Sequence, residues 1–281
     1  MNKTRSDILR QLKTLVLPCD NEYKEFNARI VFGNQIVAKK QKDNILGVRI
    51  PAIRNLAKAL IKTENWQKIL EAETAEATFL EEKLLTGILI GSAKMPLNER
   101  FIWYKKFMPM IDNWAVNDVT CSTTKWYKKL TVDEKKSVWD FLQPYLKSKK
   151  EFYCRFAVIM LITNFLDDQY IDKVLSICGT IAGKNGQFYS KEKSISGNSK
   201  TNSSEGFNTP FYVEMGIAWC LATAAAKYPE KTICFLKNNN LSIRIIKLIA
   251  QKVRDSFRIS KEDKIRLTTI SYICNNIKNK S

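Results

Sequence analysis

The sequence predicts an all-α protein, and three observations carry that prediction. Apolar residues recur at helical spacing along almost the whole chain, and no stretch alternates apolar and polar residues with the period of a strand. Related segments also return about every 37 residues, inside the roughly 35–47-residue range of paired-helix repeats. The architecture expected from these signs is a HEAT/armadillo-like α-solenoid of paired helices with a concave basic groove.

The elements follow in order. Helices are expected over residues 6–17, 22–32 and 51–62, with Pro51 suited to a first helical turn. Further helices are expected over 76–93, 98–107, 113–129, 132–146, 151–165, 170–181, 210–227, 230–237, 241–257 and 261–277. The repeat is marked by Glu81-Glu82-Lys83, Asn117-Asp118-Val119, Cys154-Arg155-Phe156, Ile217-Ala218-Trp219 and Lys252-Val253-Arg254. If the second helix of each pair lines the concave side, then Lys83, Asp118, Lys125, Arg155, Trp219, Lys252 and Arg254 converge on one groove. A single domain over 1–281 is expected, with a mobile inserted loop at 183–208. That loop is rich in Ser, Asn, Gly and Lys and poor in large apolar side chains.

Composition narrows the function. The chain has 46 Lys+Arg against 28 Asp+Glu, a formal net charge of +18, a surface that attracts phosphates. An AT-rich genome, which favours Lys, Asn and Ile, is the competing source of part of that excess. There is no histidine, so Ser-His-Asp and Cys-His nucleophilic sites, HExxH zinc sites and imidazole acid–base catalysis are excluded. No glycine-rich phosphate loop is present. The 7 cysteines are scattered and none stands at CxxC spacing, which fits reduced thiols in a cytoplasmic (bacterial nucleoid) or nuclear protein that is not secreted. No run approaches the ~18 apolar residues of a spanning helix.

The most informative pair is Trp114 and Asp118, four apart in Ile111-Asp112-Asn113-Trp114-Ala115-Val116-Asn117-Asp118. Residues at i and i+4 share a helix face, so an indole and a carboxylate stand side by side. Cys121 and Lys125 continue this stripe, while Ala115, Val119, Ser122 and Trp126 form a neighbouring stripe better suited to the core. The competing account is a core Trp with an Asp paired to a nearby cation. Arg155, alone in an apolar run, must enter a groove or find a carboxylate, and Asp118 one repeat earlier is a natural partner. Trp219, among small residues, projects from its helix; Trp66, Trp103, Trp126 and Trp139 are assigned to the core.

Several segments together carry a resemblance. Ile45-Leu46-Gly47-Val48-Arg49-Ile50-Pro51, residues 107–125, Glu151-Phe152 with Arg155-Phe156-Ala157, Gly216-Ile217-Ala218-Trp219 and Lys252-Val253-Arg254-Asp255-Ser256 resemble the AlkC/AlkD-type alkylpurine DNA glycosylases of the HEAT-like DNA alkylation repair family. The likeness runs in order along nearly the whole chain outside 183–208. It implies a groove holding alkylated double-stranded DNA, with Asp118 catalytic, Trp114 and Trp219 facing the lesion, and Arg155 in the groove. It further implies hydrolysis of the N-glycosidic bond of 3-methyladenine- or 7-methylguanine-type purines by a monomer without metal or organic cofactor. Two rivals stand beside this: a catalytically silent DNA-binding paralogue and a protein-binding scaffold.

Overall fold

The computed structural model describes residues 3–16, 21–32, 42–63, 65–183, 186–188, 209–238 and 241–278. Most of the loop expected at 183–208 lies outside the described residues. The chain divides into two compact units, Met1–Phe141 and Leu142–Ser281. Every element among the described residues is helical apart from an isolated bridge between Gly183 and Leu241, so the all-α expectation holds.

The first unit contains α1 (Lys3–Thr14), α2 (Asn21–Phe32), α3 (Ile50–Leu60), α4 (Trp66–Glu76), α5 (Leu80–Ser92), α6 (Leu97–Phe107) and α7 (Trp114–Ser122). The boundary falls inside α8 (Val132–Leu146). Helices α3, α5 and α7 pack side by side as one layer; α4 and α6 pack against α5, and α1 packs on α4 and α5. Nearly every residue of α5 is buried, Glu81 and Glu82 included.

Directional bonds fix this layer. Glu81, fully buried, accepts N–H bonds from Leu46, Gly47 and Val48 at 2.9, 2.8 and 3.2 Å. Gly47 has φ 100°, the left-handed region that glycine enters at least cost, and so lets successive N–H groups converge on the carboxylate. Burial pushes the Glu81 carboxyl up, against the pull of those hydrogen bonds. Glu82 is also fully buried and takes Arg5 Nε at 2.9 Å, docking α1.

Two expected boundaries move by four residues or more. Residues 66–76 form a helix that the apolar pattern did not announce, because its buried stripe is interrupted by Glu73. The next helix starts at Leu80 rather than 76, since Glu82 reaches back to cap the N–H groups of Thr78 and Phe79, both at 2.9 Å. The helix expected over 113–129 ends at Ser122. Thr123 bonds its hydroxyl to the Val119 carbonyl at 2.7 Å, and after Thr124 the chain continues as a 3-10 turn, Lys125–Lys129.

The second unit contains α9 (Glu151–Asn164), α10 (Ile171–Ala182), α11 (Phe211–Lys227), α12 (Pro229–Lys237), α13 (Ile243–Asp255) and α14 (Lys261–Lys278). Here α9, α11 and α13 form one row, and α10, α12 and α14 a second. In each unit alternate helices thus lie side by side.

Candidate functional site

Helix α7 is positioned by its neighbour α5. A Cβ on Gly87 would stand 2.0 Å from Thr120 Oγ1, and one on Gly91 would stand 2.2 Å from the Thr123 carbonyl. Only glycine at both places, one helical turn apart, lets the two backbones come this close. The start of α7 is fixed in turn by Asn113, whose side chain accepts the Val116 N–H at 3.0 Å. Asn113 donates to Asp112 at 2.8 Å, and Asp112 takes Lys83 Nζ of α5 at 2.6 Å.

With α7 so held, Ala115, Val116, Asn117, Thr120 and Cys121 turn inward. Trp114 and Asp118 remain half-buried on a shared face. The Trp114 indole N–H donates to the Ile30 carbonyl of α2 at 3.2 Å, which fixes the ring plane. Asp118 Oδ1 accepts the Asn117 amide at 3.0 Å. The stripe proposed from the sequence stops there. Cys121 is fully buried, and Lys125 is exposed on the 3-10 turn beyond the helix. The helix break at Thr123-Thr124 takes Lys125 off the stripe, whereas Cys121, still on the helix, faces the core. The neighbouring stripe is not uniformly core either, since Ser122 is exposed and Val119 and Trp126 are half-buried.

Two cations expected to reach a ligand are engaged within the chain. Lys83 is the Asp112 partner just described. Arg155, 5% exposed, donates to the Tyr212 carbonyl, while Glu151 accepts the Tyr212 N–H at 2.7 Å. Together they clamp the start of α11 to α9. Gly216 faces Arg155, where an added Cβ would meet Nη1 at 3.5 Å.

Trp219 on α11 is 36% exposed, with Cys220, Ala218 and Ala222 buried beside it, so the indole does project from the helix. Of the tryptophans assigned to the core, Trp103 is buried, but Trp66, Trp126 and Trp139 are only half-buried. On the same helix Glu214 is 2% exposed, 2.7 Å from Arg244 Nε, and burial pushes its carboxyl up to about 7 against the pull of Arg244. Lys252 and Arg254 flank opposite edges of the buried stripe Ile245, Ile246, Ile249, Ala250 and Val253 of α13. Residues two apart on a helix do not share a face, so this pair does not form one cationic surface.

Arg54 escaped the sequence reading. It is exposed on α3, and its guanidinium donates to Thr123 Oγ1 at 3.3 Å, at the end of α7. Arg49, also exposed, lies 4.4 Å over the Tyr23 ring of α2. The available signal was the phase of α3: Ile53, Ala57 and Leu60 are buried, which leaves Arg54 facing outward.

The first unit thus offers an indole and a carboxylate on one helix face, with an exposed guanidinium at that helix's end and a formal charge of +18 on the chain as a whole. A family model described as DNA alkylation repair enzyme matches residues 25–192. The chain belongs to that family. DNA repair is accordingly its role, and DNA its partner. The matched segment includes Lys83, Trp114, Asp118, Lys125 and Arg155; Trp219, Lys252 and Arg254 lie beyond it. No curated protein and no solved structure matches the chain. Among the described residues, no helix is long and apolar enough to cross a membrane.

Proposed function

We propose that this repair protein hydrolyses the N-glycosidic bond of alkylated purines, of the 3-methyladenine and 7-methylguanine type, in duplex DNA. The observation that carries the reading is the half-exposed Trp114 and Asp118 face on α7, in a chain without histidine. A purine alkylated at N3 or N7 is already cationic. It leaves with the bonding electron pair as a neutral base, so no general acid is needed. The sugar left behind is an oxocarbenium-like cation at C1′. Water adds there and releases its proton to solvent.

Asp118 supplies the negative charge that stabilises the sugar cation and orients the water. Trp114 offers an indole face to a cationic base or sugar, a contact worth about 0.5–2 kcal/mol depending on desolvation. Lys125, Arg54, Lys252 and Arg254 are exposed or half-exposed cations that would meet phosphates. Lys83 acts on the site by fixing the start of α7 through Asp112. The protein acts as a monomer without metal or organic cofactor. Affinity for duplex DNA should be insensitive to sequence and fall steeply with salt.

The test is single-turnover base release from a methylated oligonucleotide, with affinity measured in parallel. Release by the wild type that is lost in Asp118→Asn supports the reading. DNA binding with no release by either makes this a silent binding paralogue, and no salt-dependent DNA binding favours a protein-binding scaffold.

A further inference from the structure

Phe257 is 103% exposed, the most exposed large apolar side chain among the described residues. It does not sit on a frayed segment. The turn between α13 and α14 is pinned on both sides by Val253 and Ile259, 0% and 6% exposed. Ser256 N–H donates to the Val253 carbonyl at 3.3 Å, and the Arg258 N–H to Ser256 Oγ at 3.2 Å. Lys264 Nζ reaches the Arg254 carbonyl at 2.9 Å, and Ser260 caps α14 through the Asp263 N–H at 3.0 Å. The ring is thus held out in water by an ordered, hydrogen-bonded turn. Arg254, Arg258 and Lys261 around it are all exposed.

Leaving an aromatic ring fully hydrated forgoes the burial that most phenylalanines gain, and a rigid turn gives it no route back to the core. The chemistry that suits such a tip is an apolar face inside an anionic rim. Duplex DNA at a weakened step is such a partner: the base face takes the ring, and flanking phosphates take the guanidinium and ammonium groups. We infer that the Asp255–Lys261 turn is a second DNA contact, at which Phe257 stacks on bases of a destabilised step while Arg254, Arg258 and Lys261 hold the backbone. This rests on DNA as the partner, and not on the glycosidic chemistry.

The experiment compares binding of the full-length protein to an intact duplex and to the same duplex with one mismatch beside a 2-aminopurine. Phe257→Ala should weaken binding to the mismatched duplex by at least about fivefold and abolish the fluorescence change of the probe base. Phe257→Trp should restore both, and Arg258→Ala should weaken both duplexes alike and lower the salt slope by about one. The side chain is exposed, so helical content should not change. Unaltered preference and fluorescence in Phe257→Ala overturn the inference, even where base release is normal. Loss of those signals in a protein that releases no base supports it while the glycosylase reading fails. If Phe257→Ala instead loses binding to anionic lipid vesicles and keeps its DNA affinity, the turn serves a different surface and the inference is overturned.

Discussion

The central helices of the two units, α5 and α11, solve the same packing problem in different ways. Helix α5 buries two carboxylates, Glu81 and Glu82, and spends each on named partners: three backbone N–H groups for one, Arg5 and two more N–H groups for the other. It meets α7 through Gly87 and Gly91, with no room for a methyl group. Helix α11 buries a single carboxylate, Glu214 beside Arg244, and otherwise packs through small apolar residues (Ala218, Cys220, Ala222 and Ala224), and its glycine, Gly216, has ordinary van der Waals space around it. The Asn113–Asp112–Lys83 bonds fix where α7 begins and the two glycines set how close it comes, as the role proposed for Asp118 requires. Packing of small groups is less exacting, and it leaves Trp219 standing out from the helix.

The contrast is sharpest for the buried ion pair. Glu82→Ala takes from Arg5, 9% exposed, its closest carboxylate and leaves it Thr78 and the more distant Glu76; with the caps on Thr78 and Phe79 also lost, it should destabilise the protein by about 3 kcal/mol in urea unfolding. Glu214→Ala removes a carboxylate whose partner Arg244 has a side chain 44% exposed and free to turn to water, so its cost should be clearly smaller. Equal costs would break the comparison.

A pH dependence comes next. Glu73 on α4 is fully buried with neither carboxylate oxygen hydrogen-bonded among the described residues. Burial first, then the nearby Glu82, pushes its carboxyl from 4.5 up to about 8. The folded state therefore holds a proton that the unfolded chain releases. This contribution is fully present below about pH 4.5 and is lost as pH rises to about 8, at up to about 1.4 kcal/mol per unit. Glu214 should behave likewise over the narrower window ending near 7. Melting temperatures from pH 5 to 9 should decline less in Glu73→Gln than in wild type, and parallel curves would refute the assignment.

The glycines give the smallest effects but opposite signs. Gly87→Ala forces a methyl group into Thr120 and should cost about 1–3 kcal/mol. Gly216→Ala meets its neighbours at 3.5 Å and should be neutral or stabilise by up to about 1 kcal/mol through helix propensity. Thermal unfolding of the two variants checks both signs.

The helical class and the Trp114 and Asp118 face were legible because both rest on local periodicity. What the sequence hid is where periodicity yields to a side chain. Glu81 and Glu82 look like surface acids, and only their distant partners, Leu46 to Val48 and Arg5, explain their burial. Helix α4 was missed because Glu73 breaks its apolar stripe. Lys125 was placed on α7 because nothing in a helical wheel shows Thr123 turning its hydroxyl back on Val119. Lys83 and Arg155 read as ligand contacts because their partners, Asp112 and the Tyr212 carbonyl, are set by tertiary packing.

The central claim is that the Asp118 carboxylate, on the face it shares with Trp114, does the chemistry. Asp118→Asn keeps the size and a hydrogen-bonding oxygen and removes only the charge. Single-turnover release of 3-methyladenine or 7-methylguanine from a methylated duplex should fall by about 10²–10³-fold, with affinity for undamaged duplex unchanged or slightly raised. Release at the wild-type rate by Asp118→Asn would show that the carboxylate is structural and contradict the account.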